Sequence, residues 1–245
     1  NDPNKDFNTY IDEYIDKYNI GGVTFFRTDA EKLLIQANEW QAKSQTPMMI
    51  AIDGEWGLGM RINDGLSYPY QMTLGAVTND SLISEMGRQI AEQCIRLGIN
   101  VNFAPTVDVN NEPNNPVIGF RSFGENPDNV AHKGLAYALA LQNNGVLPSM
   151  KHFPGHGNTV TDSHHALPIV KNSLEEINKT ELVPFKYMIE NGVKGAMVGH
   201  LYFPALEPVV NKSSSLSRII VTDLLKNEMN YDGIIFTDGL EMKGA

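Results

Sequence analysis

The chain has a single cysteine, no long apolar run, a deficit of basic residues and no Gly/Ser linker. Each shortage closes off a class of protein. Cys94 has no partner for an internal disulfide, so the fold must stand on its core; its neighbours Ala91, Glu92 and Ile95 read as an amphipathic helix with the thiol as filling. Apolar stretches such as 47–52 stop far short of the roughly 18 residues that cross a bilayer, so no membrane span is expected. Nineteen Lys plus Arg against 29 Asp plus Glu leave a net charge of -10, which repels phosphate backbones and anionic lipid heads. No nucleic-acid partner is expected. The chain begins at Asn1 with no charged n-region and hydrophobic stretch behind it, and is read as trimmed at its start.

What is present suits a folded α/β protein. With 245 residues, 42% of them hydrophobic and 20% charged, the chain is long enough for one large core. No internal repeat or compositional break divides it, and one domain over 1–245 is the expectation. Short β-rich apolar runs alternate with segments of helical period, the pattern of βα units around a parallel sheet. Strands are expected at 21–26, 48–53, 99–105, 146–153, 195–200 and 233–238. Helices are expected at 7–18, 30–44, 80–97, 127–143, 173–191 and 217–229. Ser173 with Glu176 reads as a capping box, and Gly98, Gly145 and Gly192 stand where helices end.

Six strands fit an open sheet or most of an eight-stranded barrel. Polar residues at the strand ends tilt the choice: Asp53, Asp108, Lys151, His200 and Asp238 close five different strands, and a closed ring brings them together. Only seven residues follow the last strand, so the expected fold is a TIM-like (β/α)8 barrel that is incomplete in this chain.

The chemistry concentrates in Lys151-His152-Phe153-Pro154-Gly155-His156-Gly157 followed by Asp162-Ser163-His164-His165. Four of the chain's 6 histidines stand there, on a segment whose Pro and Gly residues exclude regular structure. In an extended stretch, Asp162 and His164 emerge on one side and can pair, which suits an imidazole acid/base working near neutral pH. His165 points away. Asp238, at the carboxyl edge of an apolar strand and followed by Gly239, is placed either as a carboxylate nucleophile or as a helix N-cap. The loop Asp53-Gly54-Glu55-Trp56-Gly57-Leu58-Gly59-Met60-Arg61 reads as a ligand grip, with Trp56 able to lie against a sugar face. It lacks the third glycine of a dinucleotide fingerprint, and no cofactor is expected. Arg121 in Arg-Ser-Phe-Gly either faces the same pocket or sits on the surface.

Lys151-His-Phe-Pro-Gly-His-Gly with Asp162-Ser-His164 resembles the signature of glycoside hydrolase family 3, in its β-N-acetylglucosaminidase branch. Asp53 with Arg61, Arg121-Ser-Phe-Gly and Thr237-Asp238-Gly-Leu-Glu-Met continue that pattern in the right order along nearly the whole chain. The resemblance implies a (β/α)8 barrel with Asp238 as nucleophile and His164, paired with Asp162, as acid/base. It implies that Asp53, Arg61, Arg121, Lys151 and His152 hold the sugar. The form Asp53-Gly-Glu-Trp-Gly is similar to that of Bacteroidetes proteins carrying a C-terminal β-lactamase-like domain, which implies a longer, exported protein.

The implied activity is retaining exo-hydrolysis of terminal β-linked N-acetylglucosamine from cell-wall or glycan fragments through a covalent glycosyl-aspartate. Because imidazole carries no negative charge, transfer to phosphate on the same site is the nearest alternative. Two other readings compete: a metal-dependent hydrolase using His152, His156, Asp162 and His164 as ligands, although the spacing fits no standard motif and no metal is expected, and an inactive sugar-binding domain.

Overall fold

The computed structural model describes residues 7–245. Seven strand segments run in parallel: β1 (Gly22–Phe25), β2 (Met49–Ile52), β3 (Val101–Asn102), β4 (Leu147–Pro148), β5 (Met150–Phe153), β6 (Gly195–Val198) and β7 (Ile234–Thr237). The ladders run β1-β2-β3-β4 and β5-β6-β7. β4 and β5 are two halves of one extended segment either side of Ser149, so the two ladders join. On its β3 side the ladder continues, with Ser149 N–H donating to the Ala104 carbonyl at 3.0 Å and Val107 N–H to that of Lys151 at 2.7 Å.

This sheet is curved. The ring of Phe103, just past β3, meets that of Phe236 on β7 edge-on with centroids 5.1 Å apart, although the two strands are not neighbours in the ladder. A flat sheet would hold strands so far apart in order well beyond ring contact, since adjacent strands lie about 4.8 Å apart. The architecture is an arc of a parallel α/β barrel with β1 and β7 as its free edges, as the alternation of strands and helices predicts.

Helices α1 (Phe7–Tyr18), α2 (Ala30–Lys43), α3 (Gln71–Gly75), α4 (Asp80–Arg96), α5 (Pro127–Asn143), α6 (Leu174–Lys179) and α7 (Val183–Glu190) precede a last, π-wound helix, Ile219–Glu228. Local chemistry sets their ends. The Asn126 side chain accepts the Asn129 N–H at 3.0 Å with Pro127 opening α5, and Ser173 and Glu176 form the expected capping box. Gly98 and Gly145 take φ of 75° and 84°, a conformation that a side chain would strain.

One helix departs from expectation. The span 173–191 breaks into α6 and α7, because Pro184 brings no N–H and its ring would strike the Thr180 carbonyl in a continuous helix. The short α3 has no periodic signal in the sequence; it is held by Gln71, whose amide donates to the carbonyls of Thr106 at 2.7 Å and Arg121 at 2.6 Å.

Ile50, Ile52, Met150, Phe153 and Val198 from the strands and Ile90, Leu141, Phe185 and Ile220 from the helices are buried in one connected core. Each such side chain contributes about 2 kcal/mol when removed from water. Inside this layer, the Tyr137 hydroxyl on α5 donates to the Gly54 carbonyl at 2.9 Å and ties the helix to the loop after β2. Tyr137→Phe takes away one of that carbonyl's two donors, leaving Asn102 Nδ2 at 3.2 Å, and should cost about 1 kcal/mol in urea unfolding, with the midpoint lowered and the slope unchanged.

Candidate active site

Chain direction decides where the polar groups gather. In a parallel barrel every strand ends on the same face, and ligands bind there. Asp53 and Glu55 follow β2, Asp108 follows the β3 ladder, Lys151 and His152 close the β5 segment, His200 follows β6 and Asp238 follows β7. Asp53, Glu55, Lys151, His152 and Asp238 line a cleft of about 760 Å³, with Asp108 and His200 buried behind it. Its lining includes Asp53, Arg61, Arg121, Lys151, His152, His164 and Asp238, so seven of the eight side chains expected from the sequence face one space. The eighth, Asp162, stands behind His164, and its Oδ1 accepts the His164 Nδ1–H at 2.8 Å.

The floor of the cleft is a charge network centred on Glu55, a residue of the 53–61 loop whose role the sequence does not reveal. Its carboxylate accepts two hydrogen bonds from Arg121, Nε at 2.9 Å and Nη2 at 2.7 Å, and lies 2.8 Å from Lys151 Nζ. Lys151 Nζ also donates to Asp53 Oδ1 at 2.9 Å, and Arg61 Nη2 to Asp53 Oδ2 at 3.2 Å. Burial opposes the charge on Glu55, but Arg121 and Lys151 outweigh it and hold the carboxyl far below the usual range. Lys151 is raised in turn: burial works against its charge, and Asp53 and Glu55 overcome it.

Asp108 was visible as a polar strand end and had no assigned role. It is fully buried and organises the two histidines of the motif. Its carboxylate accepts the His152 Nδ1–H at 2.7 Å, the His152 N–H at 3.1 Å and the His156 N–H at 2.6 Å. The Nε2 of His152 is left facing Arg121 Nη2 at 3.5 Å. Burial would raise the Asp108 carboxyl, and the facing His152 and His156 bring it down instead.

Asp238 hangs over this floor. Its Oδ1 accepts the Gly239 N–H at 2.8 Å. Burial again favours the neutral acid, yet His152, the Gly239 N–H, Lys151 and His200 together hold the carboxyl below its ordinary value. His200 backs the turn, donating from Nε2 to the Gly239 carbonyl at 2.9 Å, with Nδ1 paired to the Ser215 hydroxyl at 2.7 Å.

Two expectations need correction. Asp162 and His164 do meet, but through a turn: Asp162 Oδ1 also accepts the His164 backbone N–H at 2.9 Å, the local bond that Asp favours in turns. Trp56 does not face the cleft. Its ring packs edge-on against Tyr70 at 4.9 Å and lies outside the lining, because Glu55 is drawn inward by its two cations and the next side chain projects away.

The four side chains suggested as metal ligands do not form a ligand set. His152 is engaged by Asp108 and His156 by Thr159 and Ser163, and among the described residues no group of three or more His, Cys, Asp or Glu is placed to hold a metal ion. No helix among them is long and apolar enough to cross a membrane.

A parallel barrel with carboxylates, cations and imidazoles converging on its carboxyl-end face is the layout of a TIM-barrel catalytic cleft. Residues 2–245 match the glycosyl hydrolase family 3 N-terminal domain, and the chain belongs to that family. It is 40% identical to β-hexosaminidase A of Pseudoalteromonas piscicida, over 96% of this chain and 43% of that protein. It is 33% identical to a β-hexosaminidase of Neisseria meningitidis, over 92% of this chain and 64% of that one. A family 3 β-N-acetylglucosaminidase from Paenibacillus sp. str. FPU-7 superposes with a TM-score of 0.91 at 38% identity, covering 96% of this chain and 46% of that structure. The chain therefore spans from under half to about two thirds of the length of these relatives.

The buried charges set a pH dependence. The His156 imidazole is pushed by burial from an ordinary 6.5 to about 4, so the unfolded chain takes up its proton first as the pH falls. That costs about 3 kcal/mol of stability between pH 6.5 and pH 4. Glu55 and Asp108, both depressed, contribute stability above the ordinary carboxylate range and lose it as the pH drops through and below that range. Urea unfolding at stepped pH should show a decline starting near pH 6.5 and steepening below about 4.5, with the first limb flattened in His156→Gln.

Proposed function

We propose that this chain is the catalytic domain of a retaining exo-β-N-acetylglucosaminidase that releases terminal β-linked N-acetylglucosamine from cell-wall or glycan fragments. One observation carries the reading: the Asp238 carboxylate, held ionised, and the His164 imidazole, oriented by Asp162, line the same cleft as a ring of hydrogen-bonding side chains suited to a sugar. The names of the relatives support the same sugar.

In the proposed reaction, Asp53, Arg61, Arg121, Lys151 and His152 hold the hydroxyls and the 2-acetamido group. The Asp238 carboxylate attacks the anomeric carbon while protonated His164 gives its proton to the departing glycosidic oxygen. A glycosyl-aspartate and neutral His164 result. His164 then takes a proton from water as the water oxygen attacks the same carbon, Asp238 leaves, and both groups return to their starting states. Asp162 stabilises the imidazolium and fixes its Nδ1–H, so that Nε2 is the atom that exchanges the proton.

Hydrolysis is favoured over transfer to phosphate by the state of the cations. Arg61 faces Asp53, Arg121 faces Glu55, and Lys151 faces both carboxylates, so the charge of each cation is already answered by an anion and the pull on a dianion is weak, although Arg61 Nε keeps a donor without a partner. In phosphate buffer, the product should be N-acetylglucosamine with no N-acetylglucosamine 1-phosphate, read by anion-exchange chromatography.

A fluorinated 2-acetamido-2-deoxy sugar with a good leaving group should leave a covalent adduct that mass spectrometry locates on Asp238. Asp238→Ala and His164→Ala should each lower kcat on an unactivated N-acetyl-β-glucosaminide by about 10² or more. An adduct elsewhere, or full activity in either variant, removes the assignment.

A further inference from the structure

The segment bearing Asp162 and His164 is fastened to the barrel at the residue between them. Ser163 is buried, with its side chain turned inward, whereas the His164 side chain beside it is 62% exposed. Ser163 Oγ lies 3.3 Å from His156 Nε2, and the Ser163 carbonyl accepts the Gly244 N–H at 3.0 Å. The neighbouring hydroxyl assigns the protons. Thr159 Oγ1 donates to the His156 carbonyl at 3.3 Å and so accepts the His156 Nδ1–H at 2.9 Å, which leaves Nε2 as the acceptor of the Ser163 hydroxyl proton.

Both anchors are themselves fixed. The His156 N–H is held by Asp108, the same carboxylate that orients His152 in the cleft. Gly244 follows Asp238 on one segment and has no room for a side chain, since a Cβ there would lie 2.9 Å from the Ser163 carbonyl oxygen and 3.1 Å from His200 Cβ. The depressed imidazole of His156 agrees with the neutral ring that this chain of hydrogen bonds needs.

We propose that Ser163 is a positioning residue: held by its hydroxyl to His156 and by its carbonyl to Gly244, it sets the place of the Asp162–His164 pair over the Asp238 carboxylate. This rests on the acid/base reading of His164. Ser163 moves no proton in the reaction. It acts through His164, because proton transfer to a leaving oxygen falls away when the donor is displaced by an ångström or so.

The test compares two N-acetyl-β-glucosaminides, one releasing 2,4-dinitrophenolate, which departs without a proton, and one releasing methanol, which needs one. kcat/KM reports formation of the glycosyl-enzyme for both. Ser163→Ala should lower kcat/KM for the methyl glycoside by about ten- to a hundredfold, part of what a general acid supplies, and leave the dinitrophenyl glycoside within about twofold. Ser163→Thr, which keeps the hydroxyl, should recover most of the loss. Thr159→Val removes the partner that fixes the His156 tautomer and should shift the ratio the same way, which keeps the test alive if Ser163→Ala fails to fold. Equal loss on both substrates, or no loss on either, overturns the proposal. His164→Ala separates the two claims. If it keeps the wild-type ratio, the acid/base reading falls; if it changes the ratio while Ser163→Ala and Thr159→Val do not, only the role of Ser163 falls.

Discussion

A carboxylate with its side chain only 1% exposed can stay charged in this protein because two cations reach it from other strand ends. Glu55 leaves β2, Arg121 comes from the loop after β3, and Lys151 stands on β5, so their ion pairs exist only when the strands are in order. Removing one partner from such a network strands a buried charge, at a cost of about 3 to 5 kcal/mol. The network therefore does two things at once: it closes the carboxyl-end face of the barrel, and it points Lys151, Arg61 and Arg121 into the cleft in one fixed arrangement. Asp238, held ionised partly by His152 and Lys151, depends on it for its electrostatic setting.

The cost of that arrangement falls on pH tolerance. Asp108 and Glu55 sit in the interior as anions, and His156 sits there as a neutral ring, so acid loads the unfolded state with protons that the folded state refuses. A core built only from Ile50, Ile52, Phe153 and Val198 would carry no such penalty. The polar interior is tolerable because these buried groups find partners: Asp108 pairs with His152 and His156 across a strand boundary, the His156 ring with Thr159 and Ser163, and Gln71 with two backbone carbonyls.

Much of this was legible in the residues. Asp53, Arg61, Arg121, Lys151, His152, His164 and Asp238 all stand in short motifs next to strand ends, and a parallel barrel leaves such groups one face to occupy. The helix split at Pro184 follows from the chemistry of proline, and the otherwise periodic span masks it. Glu55 and Asp108 are different. A buried acid looks the same in sequence as a solvated one, and only the position of its partner, 66 residues away for Arg121 and 44 for His152, reveals its role. Trp56 erred the other way: beside a ligand-facing residue in a turn, an aromatic looks like part of the grip, although the turn sends alternate side chains apart.

The two reacting groups of the proposed chemistry need opposite surroundings, and the chain places them accordingly. A nucleophile that must stay anionic gains from burial among cations and N–H donors, where its charge is held without water to shield it from the anomeric carbon. Asp238, on a strand end and backed by His200, has that setting. An acid that gives up a proton and recovers one in each turnover needs contact with solvent, and His164 has it on a turn outside the barrel wall. Exposure alone would leave it without a fixed position. In the proposed arrangement Ser163 resolves the conflict by facing inward between Asp162 and His164, so that the backbone carries the position of the pair while Asp162 orients the ring.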